Sequence, residues 1–414
     1  TTPFNVPQIY TDDGDYSVKV DVTDEDDTFT EVETVTATAT DVVPTVSADN
    51  VSTDEGNSLT LTATKTGYSG DTFQYRFEEI DSGDNLIEVL RDWTEGANTY
   101  SETRGDDSTL RVRVLIKDED NTDGSADDTA TATMTWGNVA PTIDSIASDK
   151  TVNEGEELSI ADIVTFSDPA YEDSNLGNTK TFNYQITWGD GNTDTGNPDI
   201  DTAGSVGTPT SGSLDGTHTY ADNGTYTVTV TVTDDDGGSG SDTFQVTVGN
   251  VAPTLTATAN KTVNEGTELA ITDIVTFSDP AYEDANLGNT ESFTYEITWN
   301  DGNTDTGTPD IDTAGSEGAK TQESLDGTHT YADDDNNGTK TYNVTVTVTD
   351  DDGGSGSATF DVTVENVAPT VTATADKTVD EGTELAITDI VTFTDPGFVD
   401  PNLSNEKTFT YVID

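Results

Sequence analysis

Carboxylates are the side chains whose number and spacing in this sequence suit them to chemistry, and they recur in three settings. The first is an Asp in a Ser-Asp-Pro or Thr-Asp-Pro turn, with a second Asp five residues on: Asp168 with Asp173, Asp279 with Asp284, and Asp395 with Asp400. The second is a run of three Asp closed by two glycines, Asp234 to Asp236 and Asp350 to Asp352. The third joins the Glu of a Glu-Gly turn (Glu154, Glu265, Glu381) to an Asn that opens a linker (Asn138, Asn250, Asn366). Calcium requires six to eight oxygens at 2.3–2.6 Å, and alternating acids in glycine-bounded loops can supply several of them. The reading as metal ligands competes with a plainer one, acidic loops capped by their own Asp side chains.

Other chemistries fare worse. The two histidines, His218 and His329, hold the same repeat position, whereas a Ser-His-Asp site is assembled once from distant parts of a fold. With 82 acidic residues, carboxylate pairs of glycosidase type arise by chance. There is no cysteine, hence no disulfide framework and no thiolate chemistry. The sequence therefore predicts no enzyme. A formal charge of −67 repels nucleic acid and anionic membranes, which excludes both as partners, and it favours cations. No stretch approaches the roughly 20 apolar residues of a membrane span.

The elements that must position these acids come from a repeat. Asn138-Val139-Ala140-Pro141-Thr142 returns at Asn250 and at Asn366, spaced by 112 and 116 residues, after a weaker copy at Asp41 to Thr45. Glu-Gly turns follow each at Glu55, Glu154, Glu265 and Glu381. Period-two alternation marks strands: Leu158 and Ile160; Phe182, Tyr184, Ile186 and Trp188; Tyr226, Val228, Val230 and Val232; Phe244, Val246 and Val248. About seven short strands per repeat, with Asp, Asn and Gly turns, predict an all-β tandem array of immunoglobulin-like antiparallel sandwiches. The expected units are 44–140, 141–252 and 253–368, flanked by a C-terminal half-unit at 1–43 and an N-terminal half-unit at 369–414.

Trp188-Gly189-Asp190-Gly191, His218-Thr219-Tyr220 and Gly224-Thr225-Tyr226-Thr227-Val228 together resemble the PKD (polycystic kidney disease) domain family, and Trp299-Asn300-Asp301-Gly302 with His329-Thr330-Tyr331 repeats the pattern. The resemblance covers about 141–368. Both copies depart from it by a longer insert before the His, with Pro198 to Asp201 echoed by Pro309 to Asp312, which leaves the middle strands open. Some PKD-like domains hold calcium between the Asn before the linker Pro and an Asp pair after the second strand. Carried over, this implies Asn138 with Asp168 and Asp173, Asn250 with Asp279 and Asp284, and Asn366 with Asp395 and Asp400. A cadherin-like clamp would add Glu154, Glu265 and Glu381 and the triple-Asp loops, here Asp234, Asp236, Asp350 and Asp352.

Segment 44–140 lacks the Gly-Asp-Gly turn and the His-x-Tyr, and it carries Lys65, Arg76, Arg91, Arg104, Arg111, Arg113 and Lys117. These cations either dock on an acidic neighbour or lie on solvated strand faces. The two half-units are expected to complete one another, Phe409, Tyr411 and Ile413 lying opposite Tyr16, Val18 and Val20 of the next copy. The function expected is a calcium-stiffened (Ca2+) extracellular fibre or cell-surface filament of a microbe, built from copies of itself, with polysaccharide or a cell surface as further partners. The alternative is a spacer or weak-binding array within a large secreted adhesin or polymer-degrading enzyme.

Overall fold

The computed structural model describes residues 7–413 apart from 24, 26–27, 68–69, 120, 174–176, 178, 333–337 and 403–407. Every regular element among them is a β-strand. Unit 141–252 shows how the sandwich closes. Thr142–Ile146 pairs antiparallel with Glu157–Asp168, which pairs with Thr210–Thr219 and, through it, with Asp199–Thr202. The chain then crosses to the opposite sheet, where Lys150–Asn153 runs parallel to the last strand, Ser239–Gly249. That sheet continues through Gly224–Asp234 and Phe182–Thr187 to Thr193–Gly196. Unit 253–368 repeats this strand order.

Nine strands form where about seven were expected. The long insert is not an added lobe: it contains Thr193–Gly196, Asp199–Thr202 and the start of Thr210–Thr219, the middle strands themselves. The single parallel pair in each unit follows from splitting the first strand between the two sheets, so that each sheet edge gains a partner.

The alternating residues face inward as their spacing predicts. Tyr226, Val228, Val230 and Val232 are buried along one strand, and Phe244, Val246 and Val248 along its neighbour, against Phe182, Ile186 and Trp188. In Glu157–Asp168 the alternation is interrupted by two extra residues but keeps its phase. Leu158 and Ile160 point inward, then Asp162 adopts φ 48° at a bulge, and Ile163, Val164, Phe166 and Asp168 become the buried set. Asp168 thus ends the strand on the same buried side as Leu158 and Ile160. Trp188 is fully buried; its indole N–H donates to Asp194 (2.8 Å) and its ring stacks on His218 (4.8 Å between centroids). His218 in turn hydrogen-bonds Asp190 (2.6 Å), and Trp299, His329, Asp301 and Asp305 repeat the arrangement. Burial would raise the Asp190 carboxyl, but hydrogen bonds from His218 and Asn192 hold it below its ordinary value. Both histidines brace a turn.

In unit 44–140, Thr45–Ala48, Ser58–Thr66 and Thr99–Thr103 face a sheet of five strands with Val51–Asp54 at its edge. Its cations are used at home. Arg76 and Arg113 bond Glu78 (2.9 and 2.5 Å), Arg111 bonds Asp84 (2.6 Å), and Arg104 bonds Glu102 (3.1 Å) beside the Trp136 ring. Lys65 lies over Phe73, Arg91 over Phe77 and Lys117 over Trp93. In each flanking segment two strands pair antiparallel, Gly14–Thr23 with Thr28–Ala39 and Thr370–Ala373 with Val391–Thr394.

Truncating either tryptophan tests the inward face. Trp188→Ala and Trp299→Ala should each destabilise their unit by roughly 3–5 kcal/mol, whereas Thr227→Ala, on the exposed side of its strand, should cost under about 0.5 kcal/mol. Chemical denaturation followed by fluorescence and far-UV dichroism compares the three.

A second test concerns Glu323, which points inward beside Leu325 where unit 141–252 has Gly212; it is 2% exposed and neither carboxylate oxygen accepts a hydrogen bond. Burial, reinforced by Asp312, pushes its pKa up to about 7. A carboxyl raised on folding binds a proton that the unfolded chain has released, so its contribution falls as pH rises from about 4.3 through 7. Glu323→Gln should raise the melting temperature at pH 8 and leave it unchanged at pH 4, as read by calorimetry.

Candidate metal centres at the domain junctions

The Glu-Gly turns at Glu55, Glu154 and Glu265 each abut the following unit's Asp-Pro turn. At Gly56 (φ 75°) a Cβ would come within 2.8 Å of the Pro169 carbonyl, and at Gly155 (φ 68°) within 2.7 Å of Pro280. Both the backbone conformation and the close approach demand glycine. Backbone seams fix the contact: the amide of Tyr171 donates to Gly105 (2.7 Å), that of Tyr282 to Ala221 (3.1 Å), and that of Phe398 to Ala332 (2.9 Å). The Glu of the turn holds its own unit's exit linker. Oε1 of Glu55, Glu154 and Glu265 accepts from the amides of Val139 (2.8 Å), Val251 (2.6 Å) and Val367 (3.0 Å).

From the following unit comes the buried Asp that ends its long strand. Asp168 Oδ1 accepts from the Ala170 amide (2.8 Å), and Asp279 Oδ1 from that of Ala281 (2.9 Å). The triple-Asp loop faces the linker Asn. Asn138 Nδ2 donates to Asp234 (3.4 Å), and Asn250 Nδ2 to Asp350 (3.1 Å). Asp234 Oδ1 also caps its loop by accepting from the amides of Asp236 (3.0 Å) and Gly238 (2.8 Å).

The second oxygens of these groups are buried without a hydrogen-bond donor. They are Glu55 Oε2, Asn138 Oδ1, Asp168 Oδ2 and Asp234 Oδ2 at the first junction, and Glu154 Oε2, Asp279 Oδ2 and Asp350 Oδ2 at the second. Burial drives Glu55 and Glu154 up to about 7, and Asp168 and Asp279 up to about 6. A desolvated carboxylate without a donor is held by a proton, an ammonium or a metal ion. Around the rim of the first two junctions lies a second group. Carboxylate oxygens of Glu55, Asp106 and Asp236 lie within 4.8 Å of one another, as do those of Glu154, Asp222 and Asp352.

The structure thus brings together Asn138, Asp168, Asp234 and Asp236 around the preceding unit's Glu55, and Asn250, Asp279, Asp350 and Asp352 around Glu154. Asn366, Glu265 and Asp395 occupy the corresponding places at the third junction, where Asp395 accepts from the Gly397 amide (2.9 Å). Glu381 is exposed in the last half-unit, away from these groups. The second Asp of the later two pairs goes elsewhere. Asp284 accepts from Asn192 of the preceding Gly-Asp-Gly turn (3.0 Å), and Asp400 from Asn303 (2.9 Å). Asn286 and Asn402 return hydrogen bonds of 2.6 Å to those Asn side chains. Unit 44–140 lacks that turn, and Asp173 instead accepts through its carbonyl from Gly177 (3.0 Å).

Sequence reasoning missed Glu55 as a ligand candidate although its turn was recognised, and it missed Asp106, Asp222, Lys180 and Glu291. Lys180 and Lys150 are the only basic residues between 141 and 252, a signal that was available. Lys180 bonds Asp106 across the seam (3.3 Å) and Asp235 and Asp236 of its own unit (3.0 Å each). Burial opposes its charge, but the hydrogen bonds to Asp235 and Asp236 and the nearby Glu55 and Asp106 raise its pKa above the ordinary lysine value.

No curated protein matches the sequence. Among solved structures, the tetra-tandem repeat in the extending region of a large adhesion protein is similar at 16% identity and a TM-score of 0.37, over 81% of this chain and 77% of that one. Drosophila N-cadherin EC1-4 gives 15% identity and a TM-score of 0.24 over 85% and 83% of the two chains. The titin domains z1z2, solved in complex with telethonin, give 15% and 0.26 over 52% and 100%. Superpositions this loose say nothing about ligand or partner. The sequence match is more specific: residues 138–248, the unit that carries Trp188 and His218 together with the linker Asn138 that opens it, match the PKD domain family.

Proposed function

We propose that the chain is a non-catalytic structural array of an extracellular surface protein, in which calcium bound at each junction fixes one sandwich on the next. One observation carries this reading: at two junctions the same oxygens, from the Glu of one unit and from the Asp-Pro turn and triple-Asp loop of the next, are buried without donors. A divalent ion there supplies positive charge to oxygens that water and protein both leave unsatisfied, and it crosslinks two units while doing so. Glu55, Asn138, Asp168 and Asp234 would hold it at the first junction, Glu154, Asn250, Asp279 and Asp350 at the second, and Glu265, Asn366 and Asp395 at the third. Oxygen-only ligation in loops selects a hard cation such as calcium.

Assembly from copies of the chain belongs to the same proposal. Val18, Val20 and Val35 on the first hairpin, and Phe393, Phe409, Tyr411 and Ile413 in the last half-unit, expose faces that complete units bury. The strands that cover such a face in a complete unit are those the other half-unit carries, so end-to-end association of copies buries both at ~25 cal/mol per Å².

Calcium should raise the melting temperature of the full chain relative to EDTA, by an amount equivalent to about 2.7 kcal/mol per site when calcium stands at 100 times its Kd. Glu154→Gln should shrink the calcium-dependent increment without lowering stability in EDTA. Coincident melting curves in EDTA and in calcium would overturn the calcium reading. Electron microscopy of the purified chain checks assembly: filaments are expected, broken by Val20→Glu, and a population of single 43.8 kDa particles at every concentration would refute it.

A further inference from the structure

The rim groups at the two junctions are built alike but close differently. Asp106 and Asp222 follow equivalent backbone seams, at Gly105 to Tyr171 and at Ala221 to Tyr282. Asp235 and Asp236 correspond to Asp351 and Asp352 in the triple-Asp loops. Into the first rim the strand Phe182–Thr187 sends Lys180, two residues before its start. Its side chain is 2% exposed, and its ammonium contacts Asp106, Asp235 and Asp236. The same offset before Phe293–Thr298 places Glu291 at the second rim. Glu291 is 8% exposed, and its Oε1 is buried without a hydrogen-bond donor.

We propose that the rim is a second cation subsite, occupied at the first junction by the tethered ammonium of Lys180 and completed at the second by Glu291 into a site for an additional divalent ion. The inference rests on the calcium reading of the inner oxygens and adds to it. The first junction then takes one ion and the second takes two.

Charge decides between the occupants. At the first rim three carboxylates surround one ammonium, and Glu55 adds its field. At the second, Glu154, Asp222 and Asp352 converge within 4.8 Å, and Glu291 brings a further carboxyl where the first junction has the lysine. Burial, with Asp351, Asp279, Glu154 and Asp222 nearby, pushes Glu291 up to about 9. The cation felt at this acidic junction is Lys320, which acts on Asp279. Three converging carboxyls from two units, with the unpartnered Glu291 beside them, can be ionised together only around a multiply charged ion. A lysine at the equivalent place removes that need, because its ammonium makes three contacts without being recruited from solution.

The experiment counts tightly bound calcium on the full chain by competition with a chromophoric chelator, and measures melting in EDTA. Lys180→Glu should bind one more equivalent than the wild type. Glu291→Gln and Glu291→Lys should each bind one fewer, and Glu291→Lys should also melt higher than the wild type in EDTA. Near-UV dichroism of each variant confirms that the aromatic core is intact. An unchanged equivalent count in Lys180→Glu and Glu291→Gln, with no gain for Glu291→Lys in EDTA, overturns the assignment of the rim. A wild-type chain with no tight calcium overturns the reading of the inner oxygens instead, and the EDTA comparison still decides whether position 291 takes a tethered cation.

Discussion

Carboxylates withdrawn from water at a seam between two domains must be neutralised, and the surrounding structure is arranged by that requirement. Glu55 and Glu154 are nearly without solvent contact, yet each commits one oxygen to a linker amide and turns the other toward the next unit. That division explains why a glycine follows each of them. The turn must approach a proline carbonyl closely enough to bring the two acidic loops together, and a Cβ would hold them apart. Isolated sandwiches would have no use for such a turn; stacked ones are oriented by it.

The sandwiches supply a rigid frame for these loops. The bulge at Asp162, repeated at Asp273, takes up two residues without changing which side of the long strand faces inward, so that the strand still ends with an Asp inside. The aromatic brace does the same service at the opposite side of the unit. Trp188, His218 and Tyr220 fix the Gly-Asp-Gly turn, and Asn192 of that turn meets Asp284 of the next unit. Two separate contacts, one acidic and one built on amide side chains, therefore link units 141–252 and 253–368. Unit 44–140 has the acidic contact without the amide one, and at that junction the ammonium of Lys180 adds a direct ionic link.

Much of this was legible in the sequence, and the failures have physical reasons. Strands with one buried face announced themselves, as Tyr226 to Val232 did through Thr at every second place. Thr193–Gly196 and Asp199–Thr202 were read as an insert because they lie largely exposed at sheet edges and bury no apolar face to mark a period. Asp168 and Asp234 were recognised by repetition. Asp284 and Asp400 were grouped with the acidic contact because proximity in sequence was taken for proximity in space, whereas the proline turn sends the two members of each of these pairs to different contacts on the preceding unit. Asp106 and Asp222 occupy equivalent places in units whose local sequences differ, so no motif connects them. The exchange of Lys180 for Glu291 becomes visible only when the two repeats are laid side by side.

The parallel pairing of Lys150–Asn153 with Ser239–Gly249 has a mechanical consequence. The first segments and the last strand of a unit are neighbours, yet the chain enters at one end of that ladder and leaves at the other. Tension drawn along the array therefore slides the two strands past each other, and the ladder from Lys150↔Val246 to Asn153↔Gly249 is loaded in shear, all of its bonds at once. A hairpin pulled from its open end would instead unzip, its bonds breaking in succession. A unit wired this way yields abruptly at a high load rather than gradually at a low one, which suits a tether that must transmit force without lengthening.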